Sequence, residues 1–178
     1  MANYDQRNQW VDTQFNEFNE FNVNIQSPSE PDPTMLLSQG IKLLEAKAYQ
    51  EAINAFRAAI KTGHASSDAY YYLAIALLKG KRPKILNRSE VEEIDQLLNA
   101  ATAMGDSDGT VLWFRALVRD DYFNGNGITH YPPPFVNDII TTALSSNTHI
   151  NINRLIALLQ KLPMFDNQLY ALLVQKLV

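Results

Sequence analysis

Gly40-Ile-Lys-Leu-Leu-Glu-Ala-Lys-Ala-Tyr49-Gln-Glu-Ala52-Ile53-Asn-Ala-Phe56-Arg-Ala-Ala59-Ile60 is the stretch whose reading decides the fold. It holds two runs in which apolar residues recur at i, i+3 and i+4, the spacing that lines them up on one helical face. A turn near Lys47-Ala48 joins them. Small residues (Gly40, Ala52, Ala59) stand where two helices can approach closely. Large ones (Leu36, Tyr49, Phe56) stand where they fill the gaps. Such a hairpin buries its apolar face only by stacking on neighbours, which is how helical-repeat units behave. Stacks of this kind bind other polypeptides far more often than they catalyse.

Outward from this hairpin the helical rhythm continues. The first helix opens near Thr34, and the second ends near Gly63, glycine being a favoured C-terminal cap. Ser66, Ser67 and Asp68 offer N-caps for a third helix over 69–79, ended by Gly80 and Pro83. Ser89-Glu90-Val91-Glu92 reads as a capping box for a fourth, running to Met104. A fifth covers 110–123 and is broken by Asn124-Gly125-Asn126-Gly127. A sixth is predicted over 134–144, with Pro134 in its first turn, followed by helices near 152–162 and 165–177. No stretch of the body alternates with period two, so the predicted class is all-α, a body over 34–178 made of antiparallel hairpins.

Residues 1–33 differ in character. They are rich in Asn, Gln, Asp and Glu, carry spaced aromatics, and end in Ser27-Pro28-Ser29-Glu30-Pro31-Asp32-Pro33. Three prolines there oppose both helix and strand, so 1–33 is expected to be a disordered tail and proline-rich linker.

Composition excludes several functions. Net charge is −4, against the basic face that binding to nucleic acid or anionic membrane requires. Cysteine is absent, which removes disulfides and thiolate metal sites and fits a reducing compartment. No apolar run approaches the roughly 20 residues that span a bilayer, and residues 1–30 lack a secretory pattern, so a soluble cytoplasmic protein is expected.

At Gly40 to Ile60 the chain resembles the tetratricopeptide repeat family, built from 34-residue helix-turn-helix units. Leu36 and Gly40 match its large and small positions in the first helix. Tyr49, Ala52, Phe56 and Ala59 match the series in the second. One period on, Tyr70 and Ala74 fall in register with Leu73 and Leu77, but Lys79 to Arg88 then inserts ten residues, and Ile94 fills a slot meant for something small. A third pair opening at Trp113, Ala116 and Leu117 matches least. The last two helices are expected to cap the stack.

The resemblance implies a short right-handed superhelix whose first helices line a concave groove. Leu37, Ile41 and Leu44, then Tyr71, Ile75 and Leu78, are the positions implied to face it. Some family members grip a peptide carboxylate with Lys, Asn and Arg at such places. Leu37, Ile41 and Tyr72 stand there instead, so that clamp is not expected. An apolar groove suits an amphipathic helix or an extended hydrophobic segment. The alternative is that the apolar C-terminal helices fold back and fill it.

Lys79-Gly80-Lys81-Arg82-Pro83-Lys84 concentrates cations. It reads either as a site for phosphate or an acidic partner, or as a solvated turn whose charges suit a helix C-terminus. The Gly-rich lead and following Ser or Thr of a phosphate-binding loop are missing. Asp120-Asp121 lacks the ligand spacing of a calcium loop, and His64, His130 and His149 share no ligand spacing. No catalytic set stands out. The chain is therefore expected to be non-enzymatic, to hold no metal or cofactor, and to work on another protein or peptide segment.

The tail has two readings. Trp10, Val11, Phe15, Phe18 and Phe21 punctuate an Asn/Gln/Glu background. They form either a linear docking motif or, stacked as ladders, a cross-β assembly. Gln9-Trp10-Val11-Asp12-Thr13-Gln14-Phe15-Asn16 resembles short bacterial amyloid-signalling tags, which makes a self-assembling subunit of a bacterial signalling or defence complex the alternative to an adaptor.

Overall fold

The computed structural model describes residues 32–104, 109–145 and 150–177, all within one unit, Pro31–Val178. The tail motif at Trp10, Val11, Phe15, Phe18 and Phe21 lies outside the described residues, as does His149. The described regular structure is entirely helical, and the all-α class holds. Eight α-helices follow in order: α1 (Pro33–Glu45), α2 (Tyr49–Lys61), α3 (Ser67–Leu78), α4 (Arg88–Ala103), α5 (Thr110–Arg119), α6 (Val136–Ser145), α7 (Ile152–Lys161) and α8 (Gln168–Leu177). None of the described helices is long and apolar enough to cross a membrane.

Helix ends were the least legible feature, and each difference has a local cause. Pro33 is helical, because its fixed φ and missing N–H suit a first turn, and Asp32 caps it by accepting from the Thr34 N–H at 2.9 Å. The α4 capping box sits two residues earlier than expected. Asn87 accepts from the Glu90 N–H at 2.9 Å while the Glu90 carboxylate accepts from the Asn87 N–H at 3.0 Å, and Ser89 donates its hydroxyl proton to the Asn87 side chain. The predicted fifth helix becomes α5 plus a π-turn, Asp120–Asn124. α6 starts at Val136 and not at Pro134, because the Phe135 carbonyl and N–H engage Asp138. α8 starts after Asn167, whose side-chain oxygen accepts from the Tyr170 N–H at 2.8 Å, leaving Phe165 outside the helix.

Consecutive helices from α1 to α6 pack on one another, and α1 also meets α3, the pattern of stacked hairpins. The interlock read in the sequence is present. Gly40 is buried against the ring of Phe56, so closely that an added Cβ would lie 2.4 Å from Phe56 Cε1. Ala52, Phe56, Ala59 and Ala74 are wholly buried, and Phe56 stacks on Tyr72 at a centroid distance of 6.1 Å. Ile94, too large for its expected slot, is also wholly buried beside Leu98 and Ala101.

Beyond α4 the regular stack ends. Every residue of α5 is buried, and α4, α6 and α7 all pack on it. Its two arginines therefore need partners in place of water. Arg115 grips both oxygens of Asp95 (2.8 and 3.2 Å) and bonds Asn99. Arg119 takes Asp95 at 2.8 Å, donates to the Pro132 carbonyl, and lies over the rings of Phe123 and Tyr131.

Candidate partner-binding groove

Tyr71, Ile75 and Leu78 recur along α3 at helical spacing, and Ile41 and Leu44 approach them from α1. Ile41, Leu44, Tyr71, Tyr72 and Ile75 form one side of a cleft of about 550 Å³. The opposite wall is α7, through Arg154, Ala157, Leu158 and Lys161. A smaller recess of about 300 Å³ continues from it past Leu44 and Ile75 to Leu78, Tyr49, Gly80, Pro163 and Phe165. Five of the six expected groove residues thus share one face. Leu37 does not. It lines a separate dimple with Ala59, His64 and Ala69, because it points toward the α2–α3 connection.

The open concave face expected from the repeat pattern is narrowed. Leu44, Tyr71, Ile75 and Leu78 are buried, as are Leu155 and Leu158 of α7. The C-terminal α7 supplies one wall of this face and leaves the cleft between it and α1 open. Its contribution was legible only as the series Ile152, Leu155, Leu158 and Leu162, spaced by three, three and four, which does not say which face the helix will cover.

One end of the cleft is closed by charge. The Arg154 guanidinium lies 3.9 Å from the centroid of the Tyr71 ring and bonds Asp68 at 2.8 Å. A desolvated cation over a ring contributes about 2 kcal/mol, so this contact sets α7 against α3. Burial pushes the Tyr72 phenol above its ordinary value of 10.0, and Arg154 draws it partly back.

The basic stretch after α3 is mostly structural. Arg82 holds Asp121 through two bonds (2.6 and 3.2 Å) and pairs with Asp166, and the Lys84 N–H donates to Asp121 at 2.9 Å. Asp121 is wholly buried, and Pro83 beneath the loop is buried too. The π-turn accounts for this: its extra residue turns Asp121 inward while Asp120 accepts from Asn124 and Asn167. Around these groups lies a polar hollow of about 480 Å³ between α6 and α8. Among the described residues no group of three or more His, Asp and Glu could hold a metal ion. No protein-family model, curated protein or solved structure matches the chain.

Proposed function

We propose that the chain is a tetratricopeptide-type helical-hairpin module, a short right-handed stack that serves as a non-enzymatic cytoplasmic scaffold and holds a segment of another protein in the cleft over α3. The observation that supports this best is the cleft's make-up. A floor of Tyr71, Tyr72 and Ile75 lies between walls from α1 and α7, and Arg154 pairs with Asp68 at its rim. Aromatic side chains on the floor of a concave surface, with an arginine at its edge, are what polypeptide docking uses.

Ala157 gives the test, because it is exposed on α7 and faces the cleft. Ala157→Trp fills the cleft without entering the core. The variant is expected to melt with the wild type and to capture partner protein at least tenfold less well in a pull-down with the full chain. Equal capture by the folded variant removes the reading.

A further inference from the structure

The recess at the far end of the cleft has features that the scaffold reading does not use. Three helices end there: α1 at Glu45, α3 at Leu78 and α7 at Lys161. Its floor is apolar, formed by Leu44, Ile75, Leu78 and Leu162, all buried. Its rim carries Phe165, 81% exposed, with Tyr49, Lys47, Lys161 and Glu45. A ring so exposed beside an apolar hollow of about 300 Å³ makes room for one bulky side chain.

The lysines are available for a ligand. Their dull role would be to offset the negative ends of the three helices. Several carbonyls at those ends are taken by backbone donors: Lys47 N–H to Leu44, Ala48 N–H to Leu43, Lys79 N–H to Ala76, Lys81 N–H to Leu78, Leu162 N–H to Leu159. The Tyr170 hydroxyl adds a further bond to the Leu159 carbonyl. Among the described residues neither Lys47 nor Lys161 forms a salt bridge. Lys47 also stands at φ 58°, a backbone state that glycine adopts freely and that a side chain makes less favourable by about 1–2 kcal/mol. Among the described lining residues the one carboxylate against them is Glu45, so this rim carries two lysines to one glutamate.

We infer that this recess is a socket for a bulky apolar side chain flanked by carboxylates, so that the segment held in the cleft is acidic and carries an aromatic residue. The inference rests on the scaffold reading and names the chemistry of its partner. The aromatic ring lies on Leu44, Ile75 and Leu162 against Phe165, and its acidic neighbours meet Lys47 and Lys161.

The experiment is a titration of the isotope-labelled full chain, followed by amide resonances, with a short Ser-Asp-Phe-Asp-Ser peptide. Shifts are expected at Lys47, Gly80, Lys161 and Phe165, saturating with a Kd of about 1 mM or tighter. Lys47→Glu and Lys161→Glu, both at exposed positions, are each expected to weaken it at least tenfold while the melting temperature holds. Ser-Asp-Ala-Asp-Ser should lose binding, which separates the socket from a site for any anion. Absence of saturable shifts, or equal binding of Ser-Lys-Phe-Lys-Ser, or indifference to both lysine variants, overturns the inference. The Ala157→Trp result is read separately. If that variant loses partner capture while the lysine variants keep it, the scaffold stands and the acidic-aromatic socket falls.

Discussion

Gly40→Ala is the sharpest test of what joins α1 to α2. The new Cβ would lie 2.4, 2.7 and 2.9 Å from three carbons of the Phe56 ring. Phe56 is wholly buried and stacks on Tyr72, so the ring can yield only by disturbing α3 as well. Overpacking of this kind costs about 1–3 kcal/mol. Alanine recovers about 1 kcal/mol of helix propensity. The net expectation is a loss of up to about 2 kcal/mol, seen in urea melts as a lower midpoint with unchanged slope, and as a melting temperature lower by up to about 8 °C. Phe56→Ala alone should cost about 3–5 kcal/mol, and Phe56→Leu, which costs less, serves if that variant is unfolded. In the Phe56→Ala background the clash is gone, so Gly40→Ala should change sign and stabilise by about 1 kcal/mol. If Gly40→Ala stabilises the otherwise wild-type chain, or if the double-mutant cycle is additive, close approach at Gly40 does not fix the hairpin.

Asp95→Ala should destabilise by about 3–5 kcal/mol in the same urea assay, because two buried guanidiniums share that one carboxylate. Glu93→Ala, which breaks only the exposed pair with Arg57, should stay within about 1 kcal/mol of wild type. The hydrogen bond from Arg82 holds the Asp166 carboxyl below its ordinary value of 3.8. Its stabilising effect is therefore present above that pH and is lost as pH falls through the lower folded-state midpoint. A carbon-detected titration should show this, and Arg82→Gln should return the midpoint to the ordinary range. Tyr72 is shifted the other way, by burial, so its contribution is complete below pH 10.0 and fades as pH rises beyond. Removing the charge in Arg154→Gln should push the Tyr72 phenol higher still, which ring-carbon shifts would report.

The α1–α2 hairpin was legible because its information is local: small and large residues at fixed helical spacing, read within one pair of helices. Ile41 with Ile75, and Leu44 with Leu78, stand one 34-residue period apart in sequence, which is why the register places each pair on a common face. What the register could not carry was long-range pairing. Asp121 sits 39 residues from Arg82 in sequence, and nothing in Asp120-Asp121 announces that one carboxylate is wholly buried and its neighbour is not. Leu37 lies apart from the other five because the α2–α3 connection is next to it. The caps at Asn87 and Asn167 were missed because several Asn, Ser and Asp residues stand near each start, and only the packing of the preceding loop chooses among them.

The departure from a regular repeat has a consequence for recognition. A solenoid enlarges its concave surface by adding units, each contacting only its neighbours. Here α5 is buried on every side, so the later helices wrap around it and do not extend the row. That wrapping brings α7 to the α3 face and closes the cleft with Arg154 and Asp68. On the scaffold reading proposed above, the surface open to a partner is then bounded by the length of α3, 12 residues, or about 18 Å. An extended segment covers that distance with about five residues. With so few positions available, discrimination cannot be spread over many weak contacts. On that reading it comes from a few groups at the ends of the cleft, the paired Asp68 and Arg154 at one and the lysine-rimmed recess at the other. Single substitutions at those ends should therefore change partner choice more than any substitution on the outer surface of α2 or α4.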